Sequence, residues 1–261
     1  MALVQKRSTL RVWADVIFAI FLREIRSKFN DKLGIAWAVL SPVIFIMAMS
    51  FFRGRLDGGQ THNIPTFFFM LYGLILIQFF IGVVGSTSGA IKKNKPLYAF
   101  RQVQPISSVI AIALFDFLIK ISVVLVLVVI CFLLHMDIEI DNPILVIAIF
   151  IQVWLISSSL GILSAILTSF IPEWSKIQAM LMRPMFFISG IFFSLQDIPR
   201  EYWHYLDWNP FLHAVELTRY AAYPSYGYEG VSQFYLDMFT LCSVFFALAC
   251  YHVGWKQAIS R

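Results

Sequence analysis

Long apolar runs separated by short polar segments recur along the whole chain. Each run is close to the roughly 20 apolar residues that a helix needs to cross the hydrocarbon core of a bilayer. The pattern therefore predicts an all-α integral membrane protein of about six transmembrane helices. The predicted spans lie near residues 33–52, 66–84, 106–134, 143–168, 176–196 and 233–255.

Two further segments carry helical patterns but are not expected to span the membrane. Residues 10–32 are predicted to form an N-terminal amphipathic helix in the inner membrane interface, because a basic stretch follows an apolar face. Residues 197–232 contain the apolar helical pattern Phe211–Tyr220, which is too short to cross and predicts an outer re-entrant helix shielded by protein. The apolar face of the first segment consists of Trp13, Val16, Ile17, Ile20 and Phe21.

Lysine and arginine are concentrated on one side of the predicted spans. By contrast, the loop 135–142 carries three acidic residues and no Lys or Arg. Because loops rich in Lys and Arg stay in the cytoplasm, both termini are predicted to be cytoplasmic. The basic segments are residues 1–32, 85–105, 169–184 and 256–261.

Composition leaves no room for a large soluble domain. Of the 261 residues, 59% are apolar and 13% are charged, against roughly half and a quarter in an average soluble domain. We predict a cytoplasmic N-terminus with its interfacial helix over residues 1–32, one transmembrane domain over 33–255 and a cytoplasmic tail over 256–261. Topology accounts for the net charge of +5 without a nucleic-acid partner, because the basic residues lie against membrane ends.

Charged residues within apolar segments are the first functional candidates. Asp116 and Lys120 are four residues apart in the third span and are expected to form a structural ion pair. Glu216 and Arg219, three apart in the re-entrant segment, are candidates for a substrate path through a pore or lateral opening. His213 precedes Glu216 at a spacing that offers half of a metal site, but without a second half it is expected to be structural or interfacial.

Motifs for enzymatic chemistry are missing from the sequence. There is no G-x-S-x-G, no Cys-His set, no plausible pair of carboxylates and no phosphate loop of the form G-x-x-x-x-G-K-[ST]. We therefore predict no catalytic residue, no metal and no cofactor in this chain. If it takes part in active transport, another subunit must handle ATP and Mg.

The run LREIRSKFNDKLGIAWAVLSPV, residues 22–43, resembles the start of the ABC-2 class of export permeases. In that class a basic interfacial helix leads into a first span with a Leu-Gly-x-x-Trp-x-x-x-x-Pro pattern. Residues 192–224 resemble the outer re-entrant region of the same class, and their stretch from Asn209 to Arg219 is most similar to the capsular-polysaccharide branch. O-antigen and teichoic-acid exporters share the architecture and remain alternatives. The first pattern is carried here by Leu33, Gly34, Trp37 and Pro42.

The resemblance covers nearly the whole chain and implies a homodimeric permease that carries two ABC ATPase subunits. Such a permease moves a lipid-linked, typically acidic polysaccharide across the inner membrane of a Gram-negative bacterium, and periplasmic and outer-membrane export proteins carry it onward. The resemblance further implies that the interfacial helix frames substrate access and that residues 85–105 dock on the ATPase.

Candidate site residues follow from this resemblance and from the charges along the two segments. Arg23 and Arg26 are favoured over Lys28 for substrate access, because arginine binds phosphate or carboxylate bidentately, and Trp37 is added from the first-span pattern. The expected docking residues are Lys92, Lys93, Lys95, Pro96, Tyr98 and Phe100.

Two other function classes stay open on the sequence. A membrane-embedded enzyme of lipid-linked sugar assembly would need a cluster of acidic residues or histidines at one interface, and no such cluster is found. A non-transporting membrane scaffold would need no energy partner, so copurification of an ATPase distinguishes it from a permease.

Overall fold

The computed structural model describes residues 8–29 and 34–260, and in these ranges nine α-helices and one short hairpin form the fold. Leu33 of the first-span pattern lies outside the described residues. Four short 3-10 helices occupy the loops at Lys95–Ala99, Leu195–Asp197, Arg200–Tyr205 and Pro224–Tyr226. The main elements are α1 (Thr9–Phe29), α2 (Gly34–Leu56), β1 (Gln60–Thr61), β2 (Ile64–Pro65), α3 (Thr66–Ser88), α4 (Ala90–Lys93), α5 (Pro105–Leu133), α6 (Pro143–Phe170), α7 (Trp174–Ile188), α8 (Pro210–Ala222) and α9 (Gln233–Ser260).

Five of the described helices, namely α2, α3, α5, α6 and α9, are long and apolar enough to cross a membrane. The prediction of an all-α membrane protein is confirmed. The fifth predicted span, 176–196, is only partly helical, because α7 has 15 residues and ends at Ile188. At 1.5 Å per residue, α7 is about 22 Å long and falls short of the hydrocarbon core.

Non-helical backbone extends the path of α7 along the neighbouring helix α3. Gln178 Nε2 donates to the carbonyl of Val84 at 3.2 Å, near the C-terminal end of α3. Eleven residues earlier on α3, Ile191 Cα lies 3.3 Å from where a Cβ on Gly73 would stand. The helix ends just before Gly190, whose φ is +71° and whose added Cβ would lie 2.6 Å from Leu212. Only glycine fits that turn without strain.

Helix α3 is the buried centre of the bundle and packs against α2, α5, α6, α7 and α8. Phe69, Met70, Leu74, Ile77 and Phe80 are all fully buried along it. We call the end of the bundle at the start of α3 the hairpin end; it includes residues 57–65, 135–142 and 189–232. The opposite end, which carries α4, is called the α4 end.

Helix α1 lies against α5 through the apolar face predicted from the sequence. Ile20 is buried, and the ring of Phe21 meets Phe115 edge-on at 6.4 Å. Arg26 and Lys28 are exposed. The described part of the predicted interfacial segment is therefore a helix with one packed side and one basic side.

Helix α8 occupies the predicted re-entrant segment and is buried along almost its whole length. Its start is fixed locally, because Asn209 Oδ1 accepts from the amide of Phe211 at 3.0 Å and Pro210 occupies the first helical position. The helix has 13 residues, too few to cross. It packs between α3, α6 and α9.

The expected ion pair between Asp116 and Lys120 is not formed. Among the described residues no salt bridge within 4.0 Å joins them, and Asp116 Oδ2 instead accepts a hydrogen bond from Ser86 Oγ on α3. Lys120 is buried. The i, i+4 spacing allowed the pair, but a hydroxyl on the neighbouring helix supplies the partner of the carboxylate.

Candidate functional site

The predicted access and docking segments meet at the α4 end. Glu24 of α1 is almost fully buried and bonds to Lys93 Nζ of α4 at 2.7 Å. Arg23 lies 3.5 Å from the same carboxylate, and its guanidinium donates to Asn94 Oδ1. Asn94 is itself fully buried and donates from Nδ2 to the carbonyl of Ala90 at 2.9 Å. This polar cluster joins α1 to α4.

The cluster changes how the predicted access residues can act. The Arg23 guanidinium is engaged by Asn94 and Glu24, so it would have to leave these partners to hold a phosphate bidentately. Arg26 is exposed, and Trp37 is 63% exposed on α2. The assignment of these three residues to substrate access stays a prediction.

The predicted docking residues divide into an exposed set and an internal one. Tyr98 is half-buried, and its hydroxyl donates to Ser108 Oγ at 3.0 Å. Burial raises the pKa of Tyr98 to about 12. Through its hydrogen bond to Ser108, the Tyr98 side chain fixes the loop to α5 and does not face outward. The exposed docking surface consists of Lys92, Lys93, Lys95, Pro96 and Phe100.

At the hairpin end, Glu216 and Arg219 form a buried pair with 1% and 0% exposed side chains and a 3.1 Å contact. Glu216 Oε2 also accepts from Ser194 Oγ at 3.2 Å and from the Tyr226 hydroxyl at 2.8 Å. Burial raises the pKa of Glu216, and the adjacent guanidinium acts in the opposite direction. The pair is thus enclosed by protein within this chain.

Arg219 also holds the non-helical backbone that follows α7. Its Nε donates to the carbonyl of Phe69 at 3.1 Å, and its Nη2 donates to the carbonyl of Ile191 at 3.0 Å. A longer bond of 3.4 Å reaches the carbonyl of Phe193. Backbone carbonyls at membrane depth need internal donors, so one arginine satisfies three of them and ties α8 to α3. The sequence showed that both residues are charged within an apolar segment, but not that Arg219 donates to backbone carbonyls. A substrate-path role for Glu216 and Arg219 stays a prediction.

His213 serves the fold in the same region. Its Nε2 lies 2.7 Å from the carbonyl of Asp207, and its Nδ1 accepts from the amide of Ser232 at 2.9 Å. No group of three or more potential metal-ligating side chains occurs in the part of the chain that the structure describes. Both ring nitrogens are occupied by backbone groups, as expected for a structural histidine.

A mainly apolar cleft of about 610 Å³ with a few polar groups runs between one face of α3 and one face of α7. Its α3 wall is formed by Ile81, Gly85 and Ser88, and a Cβ on Gly85 would meet nothing within 4 Å. The α7 wall carries polar groups and ends in aromatic rings towards Ile188. These residues are Ser175, Gln178, Arg183, Phe186 and Phe187.

Gln178 places an unsatisfied acceptor at this cleft. The side chain is buried, and its Oε1 has no hydrogen-bond partner among the described residues, whereas its Nε2 is fixed on the carbonyl of Val84. That bond sets the orientation of the amide, because only the nitrogen can donate. A buried acceptor without a partner is costly, and a hydroxyl or amide of a molecule in the cleft would satisfy it once the oxygen, which is inaccessible here, turned towards the cleft. Sequence reasoning missed Gln178, since a single amide within an apolar run carries no motif.

A family model described as ABC-2 type transporter matches residues 15–223. The match covers most of the chain, from within α1 through α8, and ends before α9. The chain therefore belongs to the ABC-2 type transporter family, as the sequence patterns predicted.

Within the ABC-2 type transporter family, the chain is similar to proteins that are named for polysialic acid transport or for capsule polysaccharide export. The chain is 37% identical over 246 residues to the polysialic acid transport protein KpsM of Escherichia coli, covering 94% of this chain and 95% of the relative. It is 24% identical over 229 residues to the capsule polysaccharide export inner-membrane protein CtrC of Neisseria meningitidis, covering 83% and 79%. The corresponding protein BexB of Haemophilus influenzae is 23% identical over 249 residues, covering 91% and 93%.

Proposed function

We propose that this chain is the membrane-spanning permease of an ATP-driven ABC exporter that moves a lipid-linked capsular polysaccharide across the bacterial inner membrane. The observation that carries the proposal is the 37% identity to a polysialic acid transport protein over nearly the full length of both chains. The α3–α7 cleft is consistent with a polyhydroxylated cargo, because it combines an unsatisfied amide oxygen with a cation and aromatic faces. Arg183 would face acidic groups of the saccharide, and Gln178 would accept from its hydroxyls.

The source of energy is a separate subunit in this proposal. The sequence has no phosphate loop, so ATP and Mg belong to an ABC ATPase that docks at the α4 end, on Lys92, Lys95 and Phe100. Basic residues at the α4 end favour a cytoplasmic location for that end and for both termini. A second copy of the chain would complete the path, and periplasmic and outer-membrane export proteins would receive the polymer.

Reconstitution with candidate ABC ATPases from the same organism tests the transport proposal. We expect the two proteins to copurify and ATP hydrolysis in nanodiscs to rise when lipid-linked acidic polysaccharide is added. Lipid-linked O-antigen and teichoic-acid precursors serve as competing cargoes. Failure of any ATPase to copurify would favour a scaffold, and stimulation by O-antigen precursors alone would assign the chain to that branch instead.

The docking surface is tested separately. Replacement of Lys92, Lys95 and Phe100 by Ser is expected to abolish ATPase copurification, because it removes two exposed cations and an aromatic side chain that is 66% exposed. The matched control replaces Arg55 and Leu56, exposed at the hairpin end, by Ser and should leave copurification intact. Equal ATPase recovery from both variants would place docking elsewhere.

A further inference from the structure

A second cavity, distinct from the α3–α7 cleft, opens between α5 and α6. It has a volume of about 360 Å³ and is lined almost entirely by hydrocarbon side chains. Leu71 and Ile75 of α3 form part of its buried floor. Leu125 and Ile147, each 60% exposed, stand at its rim. We call this feature the α5–α6 groove.

The few polar groups of the groove are already satisfied within the protein. Thr218 Oγ1 donates to the carbonyl of Ala214 at 2.7 Å, and the Tyr72 hydroxyl donates to the carbonyl of Glu139 at 3.1 Å. A polar ligand would therefore find no partner in the groove. A hydrocarbon chain has no hydrogen bonds to lose in the groove and gains van der Waals contacts, because the apolar surfaces of both the chain and the groove are covered.

The groove starts at the hairpin end and is longer than the hydrocarbon thickness of one leaflet. Along α5 it extends from Phe117 to Cys131, which is about 21 Å at the helical rise per residue. One leaflet contributes about half of the 30 Å hydrocarbon core. The groove begins beside Ile138 and Ile140 of the loop at the hairpin end, so a lipid chain inserted from that surface would follow it inward.

The loop over the mouth of the groove determines which headgroup fits. Residues 135–142 contain Asp137, Glu139 and Asp141, all exposed, and no Lys or Arg. Hydrogen bonds to α8 hold the loop in place, from the amide of Asn142 to the carbonyl of Ala221 at 2.8 Å and from the amide of Asp141 to the carbonyl of Ala222 at 3.2 Å. A fixed acidic mouth attracts an ammonium group and repels an anionic headgroup.

We infer that the α5–α6 groove binds one acyl chain of a zwitterionic phospholipid with an amine headgroup, the ammonium lying over the acidic loop. The inference stands apart from the proposed transport function, since the groove lies on another side of α3 and uses none of the cleft or docking residues. It assigns a lipid site to a surface that faces the membrane.

Lipid retention by the full-length chain tests this site. The chain is placed in nanodiscs of equal phosphatidylethanolamine and phosphatidylglycerol, extracted into detergent, and its bound lipid is identified by native mass spectrometry. Because each charge near such a surface is worth about 1 kcal/mol, we expect at least a roughly fivefold preference for phosphatidylethanolamine. Preferential retention of phosphatidylglycerol would overturn the inference and indicate an anionic lipid, such as the anchor of a saccharide.

Two variants and one control distinguish binding of the acyl chain in the groove from binding of the headgroup at the acidic loop. Leu125→Trp fills the groove and should reduce retained lipid about fivefold, whereas Val129→Trp, on the same helix, 56% exposed and outside the groove lining, should retain it as the wild type does. The triple variant Asp137→Asn, Glu139→Gln and Asp141→Asn should keep total retention but lose the headgroup preference. Unchanged retention in Leu125→Trp, or an unchanged preference in the triple variant, would contradict the proposal.

Discussion

Replacement of Arg219 by Met tests whether this buried cation holds the fold together. The side chain of Met fills much of the same volume but donates no hydrogen bond. The variant leaves the Glu216 carboxylate buried beside an apolar group and removes the donors to the carbonyls of Phe69 and Ile191. Breaking a buried pair by deleting one partner costs about 3–5 kcal/mol of folding free energy. We expect the free energy of unfolding to fall by at least about 3 kcal/mol.

An exposed pair at the same end of the bundle provides the control. Arg200 contacts Glu229 at 2.5 Å, but the two side chains are 77% and 67% exposed. Surface pairs of this kind contribute about 0–1 kcal/mol, so Arg200→Met should be nearly neutral. The double variant Glu216→Gln with Arg219→Met should recover part of the loss, because the unpaired charge is no longer present.

Unfolding of the full-length chain in mixed detergent micelles, followed by tryptophan fluorescence, measures the three variants side by side. The Arg219→Met variant should unfold at clearly lower denaturant than Arg200→Met. If Arg219→Met is as stable as that control while polysaccharide export is lost, the structural role is refuted. Arg219 would then act on the substrate, as the sequence alone suggested.

Three further changes have distinct expected outcomes. Gly190→Ala should destabilise the chain by about 2 kcal/mol in the same unfolding assay, because a positive φ and contact with Leu212 both oppose a Cβ; a neutral result would disprove the close packing there. Glu24→Ala should speed hydrogen exchange of the α4 amides, since Lys93 loses its partner on α1, and unchanged protection would show that this bond does not hold α4. Gln178→Leu removes an unsatisfied acceptor but also the donor to the Val84 carbonyl, so stability should change by no more than about 1 kcal/mol, while polysaccharide export measured at the cell surface should fall; normal export would remove Gln178 from the path.

The lengths and positions of the apolar runs predicted most of the fold, because a segment within the membrane must form its backbone hydrogen bonds internally and is therefore helical. Helices begin and end within a few residues of five predicted spans, and α8 lies where the Phe211–Tyr220 pattern placed a short helix. The end of α7 could not be foreseen from hydropathy, since residues 189–196 remain apolar for several positions beyond the helix. The break depends on Gly190 meeting α8 and on a distant arginine reaching the freed carbonyls, and both are tertiary effects.

The candidate site was predictable in its charges but not in its partners. Arg23 was visible as a cation of the interfacial helix and Glu216 as a charge within an apolar segment, but their contacts with Asn94 and Tyr226, 71 and 10 residues away in sequence, follow no local spacing rule. Asp116 shows the same limit, because Ser86 on another helix supplies its hydrogen bond. The α3–α7 cleft exists because one particular face of α3 packs opposite one particular face of α7, and the pattern of a single sequence does not predict which helix faces pack together.

The attachment of residues 189–193 to α8 and α3 has a mechanical consequence for α7. Because Arg219 anchors this stretch from outside the helix, its position at the hairpin end does not depend on the backbone hydrogen bonds within α7. Rotation at Gly190 would let α7 swing as a lever whose pivot stays fixed near the hairpin end. Such a swing would widen the cleft most at the α4 end and leave the hydrogen bonds of Arg219 intact. A small angular change could therefore admit a bulky polymer at the α4 end while the hairpin end stays closed.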